Sequence, residues 1–131
     1  MSDFHSIIDS VREFHSTFGL EYKQTPSASL DEKTVALRHR LMAEENDEYL
    51  EAAMNGDLVQ VADALGDKLY ILCGTILAHG LQHKIVEVFE EIHRSNMSKL
   101  DADGNPIYRE DGKIMKSELY FLPDIAAVLE G

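Results

Sequence analysis

Apolar residues recur at helical spacing through the first hundred positions of the chain. Phe4, Ile7, Ile8, Val11, Phe14, His15 and Phe18 share one face, predicting a first helix from about Asp3 to Phe18 with Gly19 as its stop. A polar loop containing Pro26 covers Tyr22 to Ala28. Ser29 and Glu32 then form a capping-box pattern that predicts the start of a second helix, which reaches Met54 and ends at Asn55-Gly56. Asp57 and Gln60 restart the chain as a third helix to about His79, and Gly80 breaks it. A fourth helix, Leu81 to about Met97, carries Ile85, Val88, Phe89 and Ile92 on one side. The tail changes period: Ile107 to Glu110, then Asp111-Gly112, then Lys113 to Met115 read as a small hairpin with a type I′ turn. Asp124 to Leu129 closes the chain as a short helix after Pro123. The expected fold is all-α, a four-helix bundle with a small C-terminal β-hairpin. It forms one domain over residues 1–131, the bundle occupying about 3–99 and the hairpin and tail about 100–131.

Composition narrows the class. The 131 residues include 24 acidic and 12 basic side chains, a net charge of −12, and 44% apolar residues. That apolar share suits a globular domain with a single core. The sequence pI near 4.7 argues against binding a nucleic-acid polymer or an anionic membrane surface, both of which need clustered Lys and Arg. A phosphate-bearing partner would need a divalent cation as intermediary. Cys73 is the single cysteine, so no intrachain disulfide forms, and a reducing, cytoplasmic setting is expected. The start, Met1 to His5, lacks the basic and apolar stretches of a signal peptide.

The acidic residues are not scattered. Taking about 100° per residue on the second helix with Glu44 at zero, Glu48 falls near 40° and Glu45 near 100°. Leu37, Leu41 and Ala52 fall between about 20° and 80° in the same frame, so the three glutamates share an arc with core candidates. The third helix is apolar on nearly all sides from Val59 to Leu77 and is expected to be central and buried. Asp63 and Asp67 lie one turn apart within it. An isolated carboxylate there would cost several kcal/mol unless paired or bound to metal. Arg38, Arg40 and Lys68 could supply a salt-bridge network but are few for five acids. Hard divalent cations fit Glu44, Glu45, Glu48, Asp63 and Asp67 better, with Mg²⁺ the expected ion and Mn²⁺ a substitute.

Other constellations are weaker. A di-iron bundle needs two Glu-x-x-His pairs, and Glu90–His93 is the single one. Asp101 to Asn105 resembles the start of a calcium loop, but Pro106 and Gly112 stand where that loop needs Gly and Glu. At the end of the fourth helix, Asn96 repeats the spacing of Phe89 and His93 and is expected to point inward. With Lys99 it could bind phosphate; the same residues also suit a solvated, frayed helix end.

Three segments together resemble a known superfamily. Glu44-Glu45-Asn46-Asp47-Glu48 is similar to the Glu-Glu-x-x-Glu motif of the all-α nucleoside triphosphate pyrophosphohydrolases, which include the MazG-type proteins, the dimeric dUTPases and phosphoribosyl-ATP pyrophosphohydrolase. Ala62 to Tyr70, running on to Gly74-Thr75, resembles their second metal-binding helix. Val88 to Lys99, with Tyr108 to Lys113 and Pro123-Asp124, resembles a MazG-like subgroup. The resemblance covers roughly residues 30 to 129. It implies Mg²⁺-dependent cleavage of a (deoxy)nucleoside triphosphate, dUTP and dCTP being candidates, to the monophosphate and pyrophosphate. It further implies Glu45, Glu48 and Asp67 as main metal ligands, with Glu44 completing the site or positioning water, and Asn96 and Lys99 on the phosphates. Glu44 or Glu45 would be the general base, and His15 and Phe18 of the first helix are the candidates for reading the base, core packing being the alternative for both. One departure stands out: the family's second motif is Glu-x-x-Asp, and ending it on Asp67 places Ala64 where the Glu belongs. Asp63, one residue earlier, faces the same way. Members of this kind also imply a homodimer or homotetramer. Phosphoribosyl-ATP hydrolysis and a non-catalytic acidic bundle that binds a metal or a partner are the alternatives.

Overall fold

A computed structural model describes residues 3–131; Met1 and Ser2 of the N-terminal run lie outside the described residues. Among the described residues there are five helices and one two-stranded sheet. The helices are α1 (Phe4–Thr17), α2 (Glu32–Met54), α3 (Leu58–Ala78), α4 (Ile85–Met97) and α5 (Ile125–Glu130). The strands are β1 (Ile107–Tyr108) and β2 (Ile114–Met115). The all-α class with a C-terminal hairpin is as the periodicity predicts. The chain resolves into two compact units, one ending at His83 and one spanning Lys84–Gly131.

In the first unit α3 packs on both α1 and α2. Each helix stops where a glycine follows its last periodic residue. At the end of α3, Gly80 adopts φ 69°, its N–H donates to the Leu77 carbonyl, and the Leu81 N–H donates to the Ile76 carbonyl. This is a Schellman closure that consumes carbonyls the helix would otherwise leave unpaired. The loop before α2 is pinned across the same end: Lys23 N donates to Leu77 O, Ser27 N to His79 O, and the Gln82 amide to Lys23 O.

Several boundaries differ from the sequence reading, each for a local reason. Asp31, rather than Ser29, caps α2, its carboxylate accepting from Lys33 N at 2.7 Å, while Ser29 N donates to the Ser27 hydroxyl. α4 begins at Ile85 rather than Leu81 because Leu81 completes the cap of α3 and the Gln82 side chain is tied to Lys23. The hairpin pairs Ile107 with Met115 and Tyr108 with Ile114, but its turn is not type I′, which needs positive φ at both central residues. Among the described residues no non-glycine has positive φ; Gly112 alone does so here, at 88°, while Asp111 accepts from Lys113 N.

Ile8, Val11, Ala52, Ala64, Cys73, Ile76, Leu77 and Ala78 form the buried apolar core. The expectation of a fully buried α3 holds only near its end, where Cys73, Gly74, Ile76, Leu77 and Ala78 are buried, while Leu69, Tyr70 and Leu72 before them are exposed. α1 lies against this part of the helix, with Phe14 edge-on to Tyr70 and His15 against Gly74. The first turns lack that cover, leaving Leu58 79% and Val59 74% exposed. In the second unit α4 carries the tail. The buried Ser95 donates to Phe121 O at 2.7 Å, Ser98 Oγ accepts from Phe121 N, and Asp124 N donates to Glu91. Arg94 pairs with Glu91 and lies over the Phe121 ring.

Candidate functional site

α2 and α3 are joined by Asn55, Gly56 and Asp57, and Asp57 caps α3 through Gln60 N. This tight antiparallel pair brings Glu45 and Glu48, one turn apart on α2, against Asp67 of α3. One carboxylate oxygen from each lies within 4.8 Å of the others. Glu45 Oε2 is buried without a hydrogen-bond partner. Burial first, then the adjoining Glu48 carboxyl and the charges of Asp67 and Asp63, push the Glu45 carboxyl from 4.5 to about 7. Three converging carboxylates, one of them orphaned, are an unfavourable arrangement without a cation. All-oxygen donors at this spacing fit Mg²⁺ or Mn²⁺.

The basic residues that could have compensated the acids do not reach the trio. Lys68 donates to the Asn46 side chain. Arg40 pairs with Glu44 at 3.9 Å. Arg38 bonds the Ile71 carbonyl and Thr75. Among the described residues none of the three bridges the trio, so the salt-bridge reading lacks its cations.

The remaining sequence candidates fall in several places. Asp63 and Asp67 are exposed rather than buried, because α1 does not cover that part of α3. Asp63 lines an acidic cavity of about 370 Å³ between α2 and α3 with Glu48, Glu51, Asp57 and Gln60. Glu44 is exposed and outside the trio. In the second unit, Asn96 is exposed rather than inward-facing. Ser95 takes the inward position because it anchors the Phe121 backbone. Lys99 is part-buried just beyond α4, its N–H donating to the Asn96 carbonyl. His15 is buried, 4% exposed, with Nδ1 unpartnered, and burial and the Arg38 charge lower its pKa. Phe18 is 66% exposed and stacks on Phe14, whose ring meets Tyr70. Phe14 is one of the apolar face positions of the first helix and Tyr70 lies within the second motif segment; that their partly exposed rings meet follows only from α1 lying on α3.

The sequence model of the phosphoribosyl-ATP pyrophosphohydrolase family matches residues 11–96, well over half of the chain. The chain belongs to that family, and with it to the pyrophosphohydrolases of the MazG-like superfamily. No curated protein matches the chain closely enough to count as a relative.

Proposed function

We propose that the chain is a Mg²⁺-dependent pyrophosphohydrolase that splits a nucleoside triphosphate into its monophosphate and pyrophosphate. The observation that carries the reading is the Glu45–Glu48–Asp67 trio with its orphaned Glu45 oxygen. These three residues would hold the ion, with Asp63 and Glu44 flanking it. Mg²⁺ there supplies Lewis acidity at the α-phosphoryl group and favours ionisation of the attacking water. The protein residues do the rest. Glu45 or Glu44 takes the water's proton. The resemblance assigns the phosphates to Lys99 and Asn96 of the second unit. Phe18, with Phe14 and Tyr70, offers a stacking surface for the base, and His15 lies next to Phe14 in the same helix.

Two substrate classes stand. Simple deoxynucleoside triphosphates such as dUTP and dCTP fit the trio. The family match favours phosphoribosyl-ATP. We further propose a homodimer or homotetramer in the cytoplasm. Leu58 and Val59 of α3 and Met54 of α2, 80% exposed, form an apolar corner suited to a second copy. Among the described residues no helix is long and apolar enough to cross a membrane.

The test is pyrophosphate release from a panel of ribo- and deoxynucleoside triphosphates and phosphoribosyl-ATP, in Mg²⁺ and in EDTA. Mg²⁺-dependent release with monophosphate as co-product supports the reading, and the ranking names the substrate. Silence across the panel in both Mg²⁺ and Mn²⁺ refutes it.

A further inference from the structure

Arg38 is the exception among the five arginines of this chain. Arg12, Arg40, Arg94 and Arg109 are exposed and each pairs with a carboxylate. Arg38 is the most buried of them, and among the described residues no carboxylate pairs with it, in a chain with twice as many acids as bases. Its guanidinium is held in place by neutral groups. Nε donates to Thr75 Oγ1 at 3.1 Å and Nη2 to the Ile71 carbonyl at 2.8 Å, while the Thr75 hydroxyl donates to the same carbonyl. Its other N–H groups have no protein acceptor among the described residues.

The backbone is cut to receive this side chain. A Cβ on Gly74 would come within 2.5 Å of Arg38 Nη2 and 3.0 Å of His15 Nε2. Glycine at that point of α3 is therefore what lets the guanidinium and the imidazole lie against the helix. His15 is buried beside it and turns Nε2, not its unpartnered Nδ1, toward Gly74. A part-buried cation bound only by neutral groups keeps N–H groups free to receive an anion. Arg38 lies on the same face of α2 as Glu45, two turns away, roughly 10 Å along the axis. A ligand that engaged both would need a second charged group roughly 10 Å from the one held at the acid trio.

We propose that Arg38, set over Gly74 with His15 beside it, is a phosphate-binding residue of the substrate site. The planar guanidinium fork matches phosphate oxygens in two-point contact. The inference rests on the pyrophosphohydrolase reading. The shared chemistry is a phosphate dianion, from either the terminal phosphates of the triphosphate or the second phosphate of a phosphoribosyl nucleotide.

The test combines calorimetric titration of inorganic pyrophosphate into the full chain in Mg²⁺ with kcat/KM for nucleoside triphosphates and for phosphoribosyl-ATP. Arg38→Gln is expected to weaken the affected arm about tenfold, about 1.4 kcal/mol, and Arg38→Lys to recover part of that loss as a point charge. Loss of pyrophosphate affinity together with kcat/KM on every substrate identifies the terminal phosphates. Loss confined to phosphoribosyl-ATP identifies its second phosphate. Gly74→Ala keeps the charge, displaces the guanidinium tip and is expected to reproduce the same loss. Folded Arg38→Gln that is unchanged in both arms overturns the inference; if that variant fails to fold, unchanged Gly74→Ala does so. A wild-type chain that hydrolyses nothing yet binds pyrophosphate through Arg38 refutes the activity and keeps the inference. One that neither hydrolyses nor binds pyrophosphate overturns both.

Discussion

Glu45 couples metal binding to protons in a way that can be measured without a substrate. Its carboxyl, normally at 4.5, is pushed to about 7 by burial and by Glu48, Asp67 and Asp63. At pH 6 roughly nine-tenths of the metal-free protein carries a proton at this group, shared with Glu48. Mg²⁺ must displace that proton, so affinity is expected to fall roughly tenfold from pH 8 to pH 6. The stability of the metal-free chain runs the opposite way. Between about 4.5 and about 7 the folded state holds a proton that the unfolded state has released, so the stabilisation is present below 4.5 and lost as pH rises to 7. Allowing for partial solvent screening, the loss is about 1–2 kcal/mol. Glu45→Gln, which mimics the protonated acid, serves as the control. In EDTA it is expected to melt with the wild type at pH 5 and about 3–6 °C above it at pH 8, while losing its response to Mg²⁺. Equal melting temperatures for the two proteins at pH 8, or a wild-type Mg²⁺ affinity flat from pH 6 to pH 8, would refute the argument.

Asp67→Asn is expected to abolish Mg²⁺-dependent turnover in the pyrophosphate assay while leaving the melting temperature in EDTA unchanged or raised, since it relieves repulsion at an exposed position. Gly80→Ala is expected to cost about 2–4 kcal/mol by urea titration, combining left-handed strain with a Cβ 2.1 Å from the Thr25 carbonyl. Gly56→Ala, at φ 67° with nothing near its Cβ, is expected to cost only about 1–2 kcal/mol. Replacing Leu58 and Val59 by Glu and Lys is expected to leave the helical content intact and shift the chain to a monomer in light scattering. A wild type already monomeric at micromolar concentration would refute the proposed assembly.

Much of this architecture is legible in the sequence because its signals are local. Gly19, Gly56 and Gly80 mark three helix ends, and Asp57 with Gln60 marks a start, since caps involve residues within a few positions of each other. Helical phase groups Glu44, Glu45 and Glu48 on α2 and Asp63 and Asp67 on α3, and a short turn brings the two helices together; singling out Glu45, Glu48 and Asp67 rests on the resemblance. The failures share the opposite property. Whether Asp63 and Asp67 are buried depends on how far α1 extends along α3, which no periodicity within α3 encodes. Asn96 and Ser95 are neighbours on one helix, and the choice of which points inward was made by the Phe121 backbone, distant in sequence. Arg38 could be seen as a basic residue near five acids, but its isolation from all of them follows from Gly74 and Thr75 receiving it.

The turn at Asn55–Asp57 has a kinetic consequence. It closes the hairpin that carries the whole acid trio, so Glu45, Glu48 and Asp67 meet through a short chain segment and at little loop-closure entropy. Zipping outward from that turn is expected to bring the trio together before the folding barrier is crossed, so that its mutual repulsion is already felt there. A cation that relieves it acts on the same barrier. Mg²⁺ should therefore appear in the refolding limb of a chevron plot more than in the unfolding limb, making the ion an assistant to assembly as well as to chemistry.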